Sequence, residues 1–325
     1  MATKVLITSA GAGPAVAVIK ALKAQKELDL KIVSADMDPL AAGLYLADKS
    51  RLVPGADKPD FIKRIFDICQ TEKVNIIIPI FDVETIVFAD NAVRFEKIGV
   101  KVLVNNPEVV RTANDKLKTH DFCLKNGIVV PRIYSHQEVE EGNVVFPIII
   151  KPIMGIGTKG VEIIEDLRTL KAYLPLKEGY FVQHHVNGIE YTIDTISDQN
   201  GRILAAAPRE RIVVKSGQSV KGRTTKDKRL IEYGKGISSK FGIKWVACSQ
   251  CKVTDDRKIF FIEINPRYGT GVSLSIGAGL NIPLLQIKLA LGMPIKKEEL
   301  DFTDNFYMIR YWEEILRNGK DLIKP

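Results

Sequence analysis

Hydrophobic and polar positions along the first hundred residues alternate between two periods. Short apolar runs, "KVLITSA", "KIVSAD", "NIIIPI" and "VKVLV", are separated by stretches with apolar residues at helical spacing, from about Pro14, from Asp60, and from Val83 to Lys97. Strands alternating with helices imply right-handed crossovers and a parallel sheet. After about Val110 the pattern changes. "PEVVRTANDKLKTHDFCLKNGIVVP" predicts a helix ended by Gly127, and "NVVFPIIIKPIMGIGTKGVEII" predicts strand, Gly-rich loop, strand. "IEYTIDTISDQNGRILAAAPRERIVV" and "KWVACSQCKVTDDRKIFFIEINPR" predict antiparallel hairpins that turn at Asn200–Gly201 and at residues 255–257. A helical run near "NIPLLQIKLALG" and a charged tail, expected as a surface helix, complete the chain. The expected fold class is therefore α/β followed by α+β.

Length and composition narrow this picture. At 325 residues the chain exceeds what one hydrophobic core organises, so two or three packed units are expected. An apolar fraction of 46% and a charged fraction of 26% describe an ordinary folded protein. The net charge of +8 suits an anionic ligand. There is no basic run with interleaved aromatics and no basic amphipathic helix, so neither nucleic acid nor a membrane is expected as a partner. The apolar start "MATKVLITSAGAGPAVAVIKAL" is interrupted by Gly11, Gly13 and Pro14, which argues against a signal peptide or a membrane span. Cys69, Cys123, Cys248 and Cys251 lie in apolar settings; the lone C-x-x-C has no second pair, so reduced core thiols of a cytoplasmic protein are expected rather than a zinc site.

The candidate chemistry starts at "FFIEINPR" (260–267). An extended chain places Ile259, Phe261, Glu263 and Asn265 on one face and Phe260, Ile262 and Ile264 on the other. A carboxylate on such a strand needs a cation, donors or water, which a solvated strand end meets as readily as a metal site. Lys116, Lys151 and the loop "MGIGTKGV" (154–161) offer what a nucleoside triphosphate requires, cations and backbone N–H groups without side-chain bulk. Gly155, Gly157 and Gly160 would let the backbone approach, and Thr158 and Lys159 add donors; a hairpin turn or an anion cradle both fit this loop. Magnesium takes oxygen ligands beside phosphate oxygens, and Glu263 and Asn265, with Gln250 on the preceding hairpin strand, provide them. Arg267 follows, where a guanidinium would neutralise charge on a transferring phosphoryl group. Glu190, Thr192 and Asp194 share a face of their hairpin, and Arg209, Arg211 and Arg223 come after it as candidates for a substrate carboxylate or phosphate. Asp82 and Glu84 stand at the carboxyl end of a predicted parallel strand, the usual ligand edge, as candidates for an amine. The first turn "GAGPAV", with Asp36 beyond it, invites a dinucleotide reading, but Val16 occupies the third glycine position, so a tight strand-to-helix turn with Pro14 at its start fits better. The P-loop spacing is absent.

Taken in order, "NDK" with "NGIVVP", "FPIIIKPIMGIGTKGV", "FVQHHVNGIEYTID", "SQCKV", and "FFIEINPR" followed by "YGTGVSLSIGAGLNIP" resemble the ATP-grasp superfamily, most closely the synthetase halves of the carbamoyl-phosphate synthase large subunit. The resemblance runs to about residue 295. It implies a Rossmann-like pre-ATP-grasp domain over 1–110, a small lobe with a Gly-rich lid over 111–185, a C-terminal lobe with the metal site over 186–300 and a tail over 301–325, with ATP between two antiparallel sheets. It implies that Lys116 and Lys151 contact phosphates, that residues 155–160 close over them, that Gln183, His184 and Val186 form the adenine hinge, and that Glu190 holds the ribose hydroxyls. Gln250, Glu263 and Asn265 match the positions that bind two magnesium (or manganese) ions, and Arg267 the one that contacts an acyl phosphate. The implied activity is ATP-dependent ligation of a small-molecule carboxylate, through an acyl phosphate, to an amine or similar nucleophile, giving ADP and Pi; a homodimer is expected by analogy. The chain departs from those enzymes in being a single copy, in carrying Lys rather than the bidentate Arg at both phosphate positions, and in having one clear carboxylate at the metal site. An Mg-ATP-binding subunit or regulator without ligase activity is the alternative.

Overall fold

The computed structural model describes residues 2–155, 160–175 and 178–324. Its first unit is a five-stranded parallel sheet of β1 (Thr3–Ile7), β2 (Leu30–Asp36), β3 (Lys49–Leu52), β4 (Ile76–Ile78) and β5 (Lys101–Val102), in the order β3-β2-β1-β4-β5. Ile76, Ile77 and Ile78 are all buried, as a central strand covered on both faces requires. Helices α1 (Gly13–Ala24), α2 (Phe61–Glu72) and α3 (Asp82–Glu96) form the crossovers. Pro14 occupies the first turn of α1, where its missing N–H costs nothing. The strand order reverses between β1 and β4, which opens a crevice at the carboxyl edge of the sheet.

The segment expected as one helix to Gly127 is two, α4 (Pro107–Asn114) and α5 (Lys116–Lys125). Asp115 breaks the run because its carboxylate accepts the N–H groups of Leu117 and Lys118 and so caps α5. A four-stranded antiparallel sheet follows: β6 (Ile133–Tyr134), β7 (Ile148–Pro152), β8 (Glu162–Ile164) and β9 (Tyr180–His184), in the order β6-β9-β7-β8, with α6 (His136–Glu141) and α7 (Leu167–Ala172) packed on it.

The second antiparallel sheet has six strands, β10 (Ile189–Ser197), β11 (Ile203–Lys215), β12 (Gln218–Thr224), β13 (Val246–Val253), β14 (Ile259–Asn265) and β15 (Tyr307–Ile309), in the order β14-β13-β10-β11-β12-β15. Helix α8 (Lys228–Lys240) covers one face, and α9 (Val272–Gly277) and α10 (Ile282–Ala290) lie against the other side of the core. Val18, Ile19 and Leu22 of α1 share a core with Ile282 and Leu285 of α10, so the parallel unit is bonded to the large sheet rather than tethered to it. Asn105 reinforces this junction, donating to the carbonyls of Val246 and Pro266 and accepting from Lys244 N–H. The tail is not a surface helix. Tyr307–Ile309 pairs with β12 as an edge strand, with Tyr307 opposite Arg223 and Ile309 opposite Lys221, and Trp312 beyond it is 93% exposed.

Candidate functional site

The register of β14 decides what faces the cleft between the two antiparallel sheets. Gln250 lies opposite Glu263 and Cys248 opposite Asn265, but Cys251 lies opposite Phe261, so Ile262 is an extra residue on β14. This bulge breaks the strict alternation expected for the strand. Phe261 and Ile264, three residues apart, both pack with Ile237 of α8 and with Phe241 just after it, while Glu263 and Asn265 point the other way with Gln250. Ile259 and Phe261 therefore do not share the face of Glu263, contrary to the simple period of two. The carboxylate escapes the core because the bulge re-aims it.

A cleft lined by Lys116, Lys151, Gln183, Phe181, His120 and Glu263 lies where α5, β7, β9 and β14 meet. Its free volume is about 20 Å³. Burial pushes the Lys151 ammonium down to about 8, with Glu263 pulling the other way. Its Nζ lies 5.2 Å from the centre of the Phe181 ring. Burial also lowers Lys116, again opposed by Glu263, and its Nζ donates at 3.3 Å to the carbonyl of Gly155. Gly160 has φ +76°, a conformation that favours glycine. Gly157, Thr158 and Lys159 lie outside the described residues.

Around Glu263 the donors form a chain. Asn265 donates to Glu263 Oε1 at 2.9 Å, and Arg267 Nη2 donates to Asn265 Oδ1 at 3.1 Å. The side chains of Gln250, Glu263 and Asn265 offer oxygen only, with one carboxylate; no cluster of three His, Cys, Asp or Glu occurs among the described residues. Glu263 has no ion-pair partner within 4.0 Å among those residues, so its charge is available to a hard cation completed by phosphate oxygens. Magnesium fits this set.

Several expected ligands are engaged elsewhere. Arg267 forms a two-pronged pair with Asp82, Nε to Oδ1 at 2.8 Å and Nη2 to Oδ2 at 2.7 Å, so Asp82 orients the guanidinium and is not open to an amine. Arg209, 2% exposed, is locked in the same way to Asp194, which also accepts from Ser275 of α9. The pair lies on the face of the sheet that carries Thr192 and Gln250. Arg211 pairs with Glu190, Nε to Oε1 at 3.0 Å, so the expected ribose ligand already has a cation beside it. Arg223 lies opposite Glu210 on the other face of the sheet and pairs with it at 2.7 Å; its odd register position removes it from the site. Of the hinge, Gln183 lines the cleft and donates to Pro131, whereas the His184 N–H is taken by the carbonyl of Arg132 and the Val186 carbonyl accepts from Lys252. Glu84 faces a separate cavity in the parallel unit. His120, Phe181 and Lys252 were not foreseen; His120 of α5 and Phe181 of β9 line the cleft together.

The model for a "PylC-like, N-terminal domain" matches residues 5–103, and that for "ATP-grasp in the biosynthetic pathway with Ter operon" matches residues 177–314. The chain is 24% identical over 310 residues to a carbamoyl phosphate synthase large chain of Clostridium botulinum, covering 89% of this chain and 28% of that one. It is 24% identical over 263 residues to the C-terminal section of the large chain of Aquifex aeolicus, covering 74% and 48%. The chain thus spans less than half the length of these relatives. Among solved structures, a biotin carboxylase of Campylobacter jejuni superposes with TM-score 0.75 at 18% identity, over 93% of this chain and 74% of that one. An L-amino acid ligase of Bacillus licheniformis superposes with TM-score 0.68 at 17% identity, over 91% and 76%. With a match to a PylC-like N-terminal model ahead of a match to an ATP-grasp model, and with two antiparallel sheets that meet over Lys116, Lys151 and Glu263, the chain is similar to ATP-grasp proteins over most of its length.

Proposed function

We propose that the protein is an ATP-dependent ligase that activates a carboxylate as an acyl phosphate and joins it to an amine or similar nucleophile, releasing ADP and Pi. The observation that carries this reading is the convergence of Lys116, Lys151 and Glu263 on one cleft. Phosphoryl transfer asks a protein for positioning and charge neutralisation more than for covalent help. Lys116 and Lys151 would hold the phosphates, Gln183 to Val186 the adenine, and Glu190 would divide its carboxylate between Arg211 and the ribose. Magnesium or manganese bound through Gln250, Glu263 and Asn265 supplies charge neutralisation at the phosphates. Arg267, held rigid by Asp82, would stabilise the acyl phosphate. The relatives, a carbamoyl phosphate synthase and an L-amino acid ligase among them, support ligation. One fold neighbour, the biotin carboxylase domain of Hydrogenobacter thermophilus 2-oxoglutarate carboxylase, is described as a dimer with MgADP and bicarbonate, and a homodimer is proposed here too. No helix among the described residues is long and apolar enough to cross a membrane, and the four free, buried cysteines suit a cytoplasmic setting.

The test is Mg-dependent ADP release from ATP, screened against pools of amino acids, bicarbonate and small dicarboxylates, with Glu263→Ala beside the wild type. Release stimulated by one pool and lost in the variant is expected. ATP binding without stimulated release in any pool would overturn the ligase reading, and no ATP binding would overturn the nucleotide site itself.

A further inference from the structure

Four carboxylates are buried among the described residues, Glu72, Asp82, Glu84 and Asp194. Three have cations: Glu72 pairs with Lys49 and Arg51, Asp82 with Arg267, and Asp194 with Arg209. Glu84, 5% exposed, has none; its Oε2 accepts from the Thr8 hydroxyl at 2.7 Å. Burial pushes Glu84 up to about 7, against the pull of the Thr8 and Ser9 hydroxyls, as a carboxylate without a countercharge should behave.

Glu84 also lines a cavity of about 500 Å³ at the carboxyl edge of the parallel sheet, in the crevice where the strand order reverses. That volume lies within the range of small-ligand sites, roughly 300–1,000 Å³. The other carboxylates on its wall have partners of their own. Asp36 accepts the N–H groups of Gly11 and Asp38, Asp38 accepts that of Leu40, and Asp57 pairs with Lys58 at the surface. Among the described residues no Lys, Arg or His lines the cavity, and Val53, Phe81 and Val83 make much of its wall apolar. A phosphate or dinucleotide would meet only negative charge here, which argues against the fingerprint reading of the first turn.

We propose that this cavity is a binding site for an organic amine with an apolar body, whose ammonium group is the counterion of Glu84. The site is distinct from the nucleotide cleft and does not depend on the ligase reading. Its apolar wall would take the hydrocarbon part of the ligand, and the desolvated carboxylate would favour the protonated amine over any neutral or anionic isostere.

Calorimetric titration of the whole chain with 2-phenylethylamine and with 3-phenylpropionate, which share an apolar body and differ in charge, tests this directly. One-to-one binding of the amine, at least tenfold tighter than the carboxylate, is expected. Glu84→Gln should weaken it tenfold or more, and so should Asp57→Lys, an exposed substitution that places a cation at the cavity wall and carries little risk to folding. Glu263→Ala should leave the amine affinity unchanged while abolishing Mg-dependent ATP turnover, which separates failure of this proposal from failure of the nucleotide site. The proposal is overturned if the carboxylate binds as well as the amine, if neither Glu84→Gln nor Asp57→Lys weakens the amine, or if Glu263→Ala does.

Discussion

The pair between Asp82 and Arg267 joins residues 185 apart and fixes the guanidinium beside Asn265. Asp82→Asn removes its charge with almost no change of shape. Both side chains are about nine-tenths buried, and losing one partner of a buried pair costs about 3–5 kcal/mol because the other charge is left desolvated. Asn retains one acceptor oxygen, and Arg267 keeps the carbonyl of Tyr268 and Asn265 Oδ1, so the loss should fall near the lower end, about 2–3 kcal/mol. Urea unfolding should show the midpoint falling with the slope unchanged. Turnover should fall as well, since Arg267 loses its orientation. The double variant Asp82→Leu/Arg267→Met should recover much of the lost stability, because no unpaired charge remains. An Asp82→Asn stability within about 0.5 kcal/mol of wild type, the range of surface substitutions, would refute the reasoning. So would single-variant losses that simply add in the double.

Other consequences follow from the same geometry. Lys151 sits near 8 when folded and near 10.5 when unfolded, so between those values the unfolded chain binds more protons and stability should rise with pH, a slope that Lys151→Met should abolish in pH-dependent urea melts. ATP affinity should fall several-fold from pH 7 to 9 as Lys151 loses its charge, with Lys151→Arg flattening the profile in calorimetry. Glu84 behaves in the opposite sense: the folded protein holds its proton up to about 7, so stability should decline from pH 4.5 to 7, and Glu84→Gln should remove that decline. Glu263→Gln should cut Mg-dependent ADP release by roughly 100-fold or more with little change in the thermal midpoint, since its carboxylate is the only one in the oxygen set and makes no ion pair. Gly271→Ala should destabilise by about 1–3 kcal/mol in urea melts, because a Cβ there would collide with the buried guanidinium of Arg209.

The parallel unit was legible because its strands are continuous apolar runs and its helices have their own period; Ile76–Ile78 and the crossover into α3 fall where the pattern puts them. The two hairpins were legible from their turns. What escaped was anything that depends on a count of one residue. The bulge at Ile262 leaves no mark in "FFIEINPR", yet it decides that Phe261 enters the core while Glu263 leaves it. Arg223 stands on β12 opposite Glu210, and that cross-strand register, which the sequence does not show, places it on the face away from Arg209 and Arg211. Electrostatic pairing was equally hidden. Asp82 and Arg267 are far apart in sequence, and nothing local predicts that one would orient the other. β3 was missed because "KSRL" carries a single strong apolar residue, and its place is decided by pairing with β2.

The cleft itself implies motion. A free volume of about 20 Å³ holds roughly one water molecule, whereas a ligand the size of a nucleotide needs several hundred. The expectation is that the four-stranded sheet moves away from α5 and β14 as ATP enters. Among the described residues, the bonds across this junction include the Lys116 N–H to the carbonyl of Ile153, Lys116 Nζ to the carbonyls of Ile153 and Gly155, and Lys252 Nζ to that of Val186. Lys116 would exchange the carbonyls of Ile153 and Gly155 for phosphate oxygens when nucleotide binds. Amide hydrogen exchange over β7 and β9 should be slowed by MgATP in the wild type, because the nucleotide bridges both sides. In Lys116→Met exchange there should be faster without nucleotide and less responsive to it. Exchange that is equally slow in the variant and unmoved by MgATP would mean that the sheet does not open, and that nucleotide enters by another route.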